Sequence, residues 1–195
     1  KIDGTTGEVT LTQYLSLYHP DTDDPNDSVQ LKNGLITAKV TVTDADGDKD
    51  VADVDVGALF TFYDDGPTAA LDLVDDASIS VDETADDDDV TGALGQATAD
   101  LVTSAASVYG ADGAGTTAFS LVLSAAGADS GLKLTNETVI QLYDNNGTIE
   151  GRAGDENGAV AFDIKIDGTT GEVTLTQYLS LYHPDTDDPN DSVQL

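Results

Sequence analysis

The sequence predicts an all-β fold, an antiparallel β-sandwich of immunoglobulin-like type, and three observations support this prediction. Apolar and polar residues alternate with a period of 2 in many short segments. Glycine, asparagine and aspartate clusters separate these segments, as turns separate strands. Residues 165–195 repeat residues 1–31 letter for letter, which sets a period of 164 residues. A period of that length can bury its own core, so we expect an array of separate domains and not a solenoid.

The clearest alternation predicts a long hairpin in the first third of the chain. Apolar side chains between Ile36 and Val42 fall on one face and threonines on the other. After the loop 44–50, alternate residues from Ala52 to Phe62 again share one face, which predicts the partner strand.

Further strands are predicted at 79–81, 119–123, 160–166 and 171–181. Asn146-Gly147 predicts a tight hairpin turn, because both residues tolerate positive φ. One short helix is predicted over 93–109, where apolar residues recur at helical spacing and alanine is frequent.

A domain boundary is predicted at Gly66-Pro67, since proline cannot join a central strand and the composition changes there. Residues 1–66 are then the C-terminal part of one repeat, and residues 67–195 are the N-terminal and middle part of the next. Alternatively, residues 32–195 form one complete period in permuted order.

Charge narrows the class of partner. The chain has 38 acidic and 7 basic residues and a net charge of −31, which opposes binding to nucleic acid or insertion into a membrane. The chain has no cysteine, so disulfides and thiolate metal sites are excluded. The expected partner is a cation, held either in specific divalent-ion sites or on a diffuse acidic surface adapted to high salt.

The sharpest candidate site is the loop that joins the two strands of the first hairpin. Its sequence, DADGDKD, places alternate carboxylates around a glycine, as at the start of an EF-hand loop, although the closing glutamate is absent. Hard carboxylate oxygens are the ligands that Ca²⁺ prefers. The predicted Ca²⁺ ligands of this loop are Asp44, Asp46, Asp48 and Asp50.

A second Ca²⁺ site is predicted near the domain boundary, because 17 of the 38 acids lie between residues 44 and 89. A salt-adapted surface would spread its acids more evenly. The predicted linker ligands are Asp64, Asp65, Asp75, Asp76, Asp82 and Glu83. The run Asp86–Asp89 is more typical of a solvated segment.

Three other features receive weaker interpretations. The loop 21–27, repeated at 185–191, is either a Ca²⁺ loop or a polar loop capped by its own side chains. His19 and His183, one per period, are expected to pack beside a neighbouring tyrosine. The residues show no arrangement typical of a catalytic centre, so neither an enzyme nor a small-molecule substrate is expected.

Several of these motifs resemble those of a known family. The runs VTVTDADGD (Val40–Asp48), FYDDGP (Phe62–Pro67) and GEVTLTQY (Gly171–Tyr178) resemble repeat modules in giant RTX adhesins, bacterial surface proteins exported by type I secretion. The resemblance implies extracellular sandwich domains joined end to end, with Ca²⁺ near the junctions. The glycine-rich nonapeptide repeats that name the family are absent.

The resemblance implies a spacer function. Such a repeat would contact its neighbouring repeats and project the ligand-binding tip of the adhesin from the bacterial cell surface, for attachment and biofilm formation. The alternative is an adhesive module that itself binds a glycan, ice or another copy. A salt-adapted surface is a third possibility, and it predicts that NaCl stabilises the fold as well as CaCl₂ does.

Overall fold

The chain is all-β. The computed structural model describes residues 1–83, 92–185, 187 and 191–194. Within these residues the elements are β1 (Ser28–Gln30), β2 (Thr37–Thr43), β3 (Lys49–Asp55), a 3₁₀ turn (Gly57–Leu59), β4 (Thr61–Tyr63), β5 (Asp72–Leu73), β6 (Gly95–Asp100), β7 (Val102–Thr103), β8 (Ala128–Lys133), β9 (Val139–Asn145), β10 (Thr148–Ala153), β11 (Val160–Ile166) and β12 (Glu172–Gln177). Every strand pair is antiparallel. The predicted all-β class is confirmed.

The chain divides into two compact units. Unit 1 comprises Lys1–Ala69 and Ser107–Gly115, and unit 2 comprises Ala70–Ala106 and Thr116–Leu195. The first division falls close to the predicted boundary at residue 66. The inclusion of 107–115 in unit 1 was not predicted. A single boundary in the sequence cannot describe a later segment that packs back onto the first unit. The phase of the repeat stays a prediction.

Unit 1 contains two small sheets. Strands β2 and β3 form the predicted hairpin, in register from Thr37 opposite Asp55 to Thr43 opposite Lys49. Its valines remain exposed at positions 40, 42, 51 and 54. An isolated two-stranded hairpin is marginal in water, so this element depends strongly on its turn.

The predicted long strand 52–62 is interrupted at Gly57. A Cβ added to Gly57 would lie 2.5 Å from the carbonyl oxygen of Lys32, so the chain is pressed against that backbone. The Asp55 carboxylate accepts hydrogen bonds from the Gly57 and Gly34 amides at 3.0 and 2.7 Å. These contacts turn the chain into the 3₁₀ segment, and β4 pairs with β1 instead of extending β3.

Unit 2 is built on a six-stranded sheet with the order β6-β12-β11-β10-β9-β8. Strands β8 to β12 follow one another as a meander, and β6 is added beside β12. The β9–β10 turn is the predicted Asn146-Gly147 pair, with φ of 53° and 86°. Strands β5 and β7 form a separate two-stranded sheet in the same unit.

The hydrophobic core of unit 2 lies on this sheet. Ile140 is completely buried, and Leu132, Ala161 and Phe162 surround it. The side chains packed against this cluster are Leu134, Leu142, Ile164, Leu175, Leu179, Leu181 and Val193. The ring of Phe162 covers Gly151, where an added Cβ would lie 2.4 Å from ring atoms.

The predicted helix over 93–109 is wrong. That segment forms β6 and β7, and β6 pairs with β12 from Gly95 opposite Gln177 to Asp100 opposite Glu172. Ala97 and Ala99 also alternate with polar residues, so pairing with β12 outweighs the helix propensity of alanine. The described residues include no helix long and apolar enough to cross a membrane.

Two other predicted strands are also wrong. Residues 79–81 and 119–123 do not lie in strands. Phe119 donates one backbone hydrogen bond to the Gly168 carbonyl at 2.9 Å, and its ring lies against Gly171. Phe119, Leu121 and Leu123 are half-buried on one side of this segment, as their alternation indicates. The segment does not pair with a strand, so it is not a strand itself.

The two copies of the repeated sequence share their local turns. Asp167 accepts hydrogen bonds from the Thr169 and Thr170 amides, both at 2.8 Å. In the first copy Asp3 accepts the same bonds at 2.8 and 2.9 Å. These turns therefore form from local sequence alone.

The two copies differ in packing. Val173 is 4% exposed within the six-stranded sheet, whereas its equivalent Val9 is 47% exposed. Leu15 is 80% exposed, whereas its equivalent Leu179 packs against the core of unit 2. Burial of this sequence depends on the strands around it and not on its own residues.

The turn before β12 makes the stability of unit 2 depend on pH. Hydrogen bonds from the Thr170 and Thr169 amides lower the pKa of Asp167 below its ordinary value of 3.8. Because the pKa is lower in the folded state, this stabilisation is present above the unfolded pKa and is lost as the pH falls through the folded pKa. We expect Asp167→Ala to lower the melting temperature of unit 2 at pH 7 but not below the folded pKa, as measured by calorimetry. Asp3→Ala is the matched control and should leave unit 2 unchanged at both pH values.

Candidate metal centre

The loop between β2 and β3 is a compact acidic turn. The Asp44 amide donates to the Asp48 carbonyl at 3.0 Å, which closes the turn. The Asp44 carboxylate accepts hydrogen bonds from the amides of Gly47 and Asp48 at 3.0 and 2.8 Å. Gly47 has φ of 103°, in a region that side chains disfavour, so glycine permits the tight turn.

Three carboxylates converge on this loop. Asp44, Asp46 and Asp48 each offer one carboxylate oxygen, and these oxygens all lie within 4.8 Å of one another. All three residues are exposed. In the described part of the chain, they are the only group of three or more acidic, histidine or cysteine side chains this close together.

The local field favours the ionised form of Asp44. The side-chain hydrogen bond with Asp46 is the largest cause that lowers the pKa of Asp44, and the Asp48 and Gly47 amides act in the same direction. When all three carboxylates are ionised, their oxygens repel one another at this close range, and a cation bound between them relieves the repulsion.

Asp50, the fourth predicted ligand of the loop, lies outside this group. It belongs to β3, where it is opposite Val42, and its carboxylate accepts a hydrogen bond from the Val51 amide at 2.9 Å. The start of the strand therefore separates Asp50 from the turn.

The predicted linker ligands are divided between the two units. Asp64 and Asp65 follow β4 in unit 1, where the Asp64 amide donates to the Asp27 carbonyl at 2.9 Å. The Asp65 amide donates to the Asp64 carboxylate at 2.9 Å. Asp64 and Asp65 also line an open groove of unit 1 with Asp112.

The other linker ligands belong to unit 2. Asp75 and Asp76 lie in an exposed turn after β5, where Asp76 has φ of 58°. Asp82 is exposed as well. Neither these residues nor the pair in unit 1 belong to a close group of the kind that Asp44 forms, so the linker site stays a prediction.

The Glu83 carboxylate makes hydrogen bonds that hold unit 2 together. One oxygen of its carboxylate accepts hydrogen bonds from the Gln177 side-chain amide at 2.7 Å and from the Leu181 backbone amide at 2.8 Å. The same oxygen lies 3.8 Å from Nε2 of His183. Glu83 thus fixes the chain that leaves β12, an interaction that the sequence does not reveal because about 95 residues separate the partners.

The loop 21–27 is closed by its own side chains. Asp21 accepts a hydrogen bond from the Asp23 amide at 3.1 Å, and Asp24 accepts one from the Asn26 amide at 3.0 Å. Nδ1 of His19 lies 2.5 Å from the Asp27 carboxylate. This arrangement favours the interpretation as a capped polar loop.

The same pairing is present in the second copy, where Nδ1 of His183 lies 2.6 Å from Asp191. Each histidine was expected to pack beside a neighbouring tyrosine, and its pairing with an aspartate was not predicted. The signal was the histidine and aspartate spaced eight residues apart in both copies. The run Asp86–Asp89 lies outside the described residues.

The Asp44 group fits a hard divalent cation in its donor chemistry. Three carboxylates supply part of the six to eight oxygens that Ca²⁺ takes, and their exposure leaves access for water to supply the others. Carboxylates alone do not distinguish Ca²⁺ from Mg²⁺, but a turn on an exposed hairpin is more compatible with the irregular geometry that Ca²⁺ tolerates.

Comparison with known proteins identifies one family. No curated protein and no solved structure matches the chain. A family described as a domain of unknown function, DUF5801, matches residues 1–57 and 78–195, which cover most of the chain. The chain therefore belongs to the DUF5801 family.

Proposed function

We propose that the chain is a Ca²⁺-binding structural repeat of an extracellular bacterial adhesin. In this role it acts as an extender that carries a ligand-binding tip away from the cell surface, for attachment and biofilm formation, and its partners are the neighbouring repeats of the same protein. The observation that carries the proposal is the convergence of Asp44, Asp46 and Asp48 on one turn.

The charge of the chain supports this proposal. At a net charge of −31, mutual repulsion opposes the compact state unless cations are bound. A bound Ca²⁺ offsets part of this repulsion at the turn on which the β2–β3 hairpin depends. Calcium near the junctions of repeats is a second part of the proposal. Its candidate ligands are Asp64 and Asp65 in unit 1 and Asp75, Asp76 and Asp82 in unit 2.

The 164-residue period supports an array. Identical copies of a segment that belongs to a folded unit are expected where one unit follows another along a chain. An extender needs no catalytic or ligand-binding site of its own, only units that keep their shape under load.

The exposed tyrosines of unit 1 do not favour the alternative of a glycan-binding module. Tyr14 is 87% exposed, but the hydroxyl of its equivalent Tyr178 donates a hydrogen bond to Asp163 at 2.8 Å in unit 2. Tyr14 is thus exposed in a sequence that packs inside the sheet in its second copy, so its exposure alone does not indicate a glycan site.

Calcium titration tests the proposal. Extracellular calcium modules bind with Kd of roughly 10⁻⁴–10⁻³ M, so we expect saturable binding in this range by calorimetry. We expect Asp46→Asn to weaken the binding at the loop by about tenfold or more, because one of three carboxylates is lost, a change of about 1.4 kcal/mol. Asp53→Asn, at an exposed position on β3 of the same hairpin, is the charge-matched control and should leave this binding unchanged.

Salt dependence separates the proposal from a salt-adapted surface. We expect millimolar CaCl₂ to raise the melting temperature when NaCl of equal ionic strength does not. Equal effects of the two salts, or identical titrations of the wild type and Asp46→Asn, would contradict a specific calcium site in the loop.

A further inference from the structure

We infer that residues 8–17 are a donor strand, which can take the place of β12 in unit 2 of a second copy of this chain. The inference concerns an interaction surface between copies. It rests on the repeated sequence and on the β-sheet, and not on calcium, so it stands or falls separately from the proposed function.

The site for this strand is the position of β12 in the sheet. Strand β12 lies between β11 and β6 and pairs with both. Val173 is opposite Ile166 on β11 and Ala99 on β6, and Thr176 and Gln177 are almost completely buried. Removing β12 therefore leaves two strand edges unpaired and opens the core.

The chain that follows β12 adds further contacts at the same site. Leu179 and Leu181 pack against the core, and the Tyr182 amide donates to the Lys133 carbonyl at 2.8 Å. Leu181 forms an isolated bridge with Leu134. The site thus recognises about ten consecutive residues through backbone pairing and apolar side chains.

Residues 8–17 are identical to residues 172–181. Every side chain that β12 and the following segment place in the site is therefore available in the first copy, in the same order. Because the pairing of a strand is fixed by its side-chain alternation, the donor would adopt the register of β12.

The donor segment has few contacts to lose. Val9 forms an isolated bridge with Ile2, flanked by two hydrogen bonds between Lys1 and Thr10 and one from the Asp3 amide to the Glu8 carbonyl, all at 2.8 Å. Ser16 donates a side-chain hydrogen bond to the Ala111 carbonyl at 2.9 Å. The apolar side chains of this segment are largely exposed, including Leu11 at 49% and Leu15 at 80%. Transfer into the sheet would bury them.

The resident strand normally wins this competition. Strand β12 is joined to β11 by a five-residue turn, so its effective concentration at the site is far higher than that of a second molecule. Exchange should therefore become visible when β12 is weakened. The contact is then heterologous, because each copy has one donor and one site, and it produces closed rings or open chains of molecules according to the rotation between copies.

The identical copies provide a matched test in the full chain. Val173→Asp places a carboxylate at a buried position of β12 but leaves the donor intact. We expect this variant to form a concentration-dependent series of oligomers at multiples of 20.1 kDa in size-exclusion chromatography with light scattering. Val9→Asp, the same change at the exposed copy, should remain monomeric and fully folded.

The double variant Val9→Asp/Val173→Asp distinguishes exchange from aggregation. Because it lacks a competent donor, we expect it to lose the oligomer series. The inference would be overturned if Val173→Asp remained monomeric at all concentrations or if the double variant formed the same oligomers. It would also be overturned if residues 8–17 took the place of β12 within their own molecule.

A peptide tests the site directly, even where unit 2 of a variant is poorly folded. A labelled peptide of residues 8–17 should bind the double variant saturably and raise its melting temperature. The same peptide with Val9→Asp should bind at least about tenfold more weakly. Equal binding of the two peptides, or no saturable binding of either, would overturn the inference.

Discussion

Replacing Ile140 with alanine is expected to lower the free energy of unfolding of unit 2 by about 2–5 kcal/mol, the range for removing a large aliphatic side chain from a core. Ile140 is completely buried at the centre of the cluster formed with Leu132, Ala161 and Phe162. Its loss removes apolar contact and leaves a cavity that strands fixed on both sides cannot close. Denaturant unfolding, followed by tyrosine fluorescence, measures the change.

Ile36→Ala is the matched control for Ile140→Ala. Ile36 is 40% exposed in unit 1, so the same substitution removes much less buried surface. We expect a change below about 1 kcal/mol. Equal losses for the two variants would show that the core of unit 2 does not control stability in this way.

Replacing Glu83 with alanine is expected to destabilise unit 2 by about 1–3 kcal/mol, because two part-buried hydrogen bonds to a charged group are lost. The Leu181 backbone amide loses its acceptor, and the Gln177 side-chain amide loses one of its two acceptors while it keeps the Leu179 carbonyl at 3.0 Å. The segment after β12 should then open more often. Hydrogen exchange at the Leu181 amide measures this directly.

Glu83→Gln separates the structural role of this residue from its predicted role as a calcium ligand. The glutamine keeps an oxygen that can accept from Gln177 and Leu181 but removes the charge. If Glu83 is structural, Glu83→Gln should keep most of the stability and leave calcium affinity unchanged. A loss of calcium affinity with unchanged hydrogen exchange would assign Glu83 to a metal site instead.

The sequence predicted the parts of the fold that depend on neighbouring residues. The β2–β3 hairpin and the Asn146-Gly147 turn follow from alternation and turn chemistry within about 20 residues. Strand β11 matches the predicted segment at both ends, Val160 and Ile166. In each case the local preference and the sheet favour the same conformation.

The errors arose where distant partners decide the structure. Ala97 and Ala99 suit a helix until β12 is placed beside them, since alanine has little preference for a strand. The break at Gly57 depends on the backbone of Lys32, which alternation cannot indicate. Sequence patterns identify a buried side more reliably than they identify what buries it.

In the candidate site, too, the contacts between neighbouring residues were predicted and the contacts between distant residues were not. Asp44, Asp46 and Asp48 could be found because the turn that brings them together is encoded in five residues. The linker ligands were chosen by proximity along the chain, but Asp64 belongs to unit 1 whereas Asp75 belongs to unit 2. The structural role of Glu83 was beyond reach because its partners lie near the other end of the sequence.

The position of Glu83 has a mechanical consequence. Gly95 and Gln177 are opposite each other in the β6–β12 pair, so tension applied along the chain pulls the two strands apart from that end, one hydrogen bond after another. Such unzipping needs little force for each step. Glu83 accepts hydrogen bonds from Gln177 and Leu181 at that same end. We expect these bonds to be stretched before the first β6–β12 hydrogen bond breaks. We therefore expect the hydrogen bonds of Glu83 to raise the force at which the sheet begins to unzip.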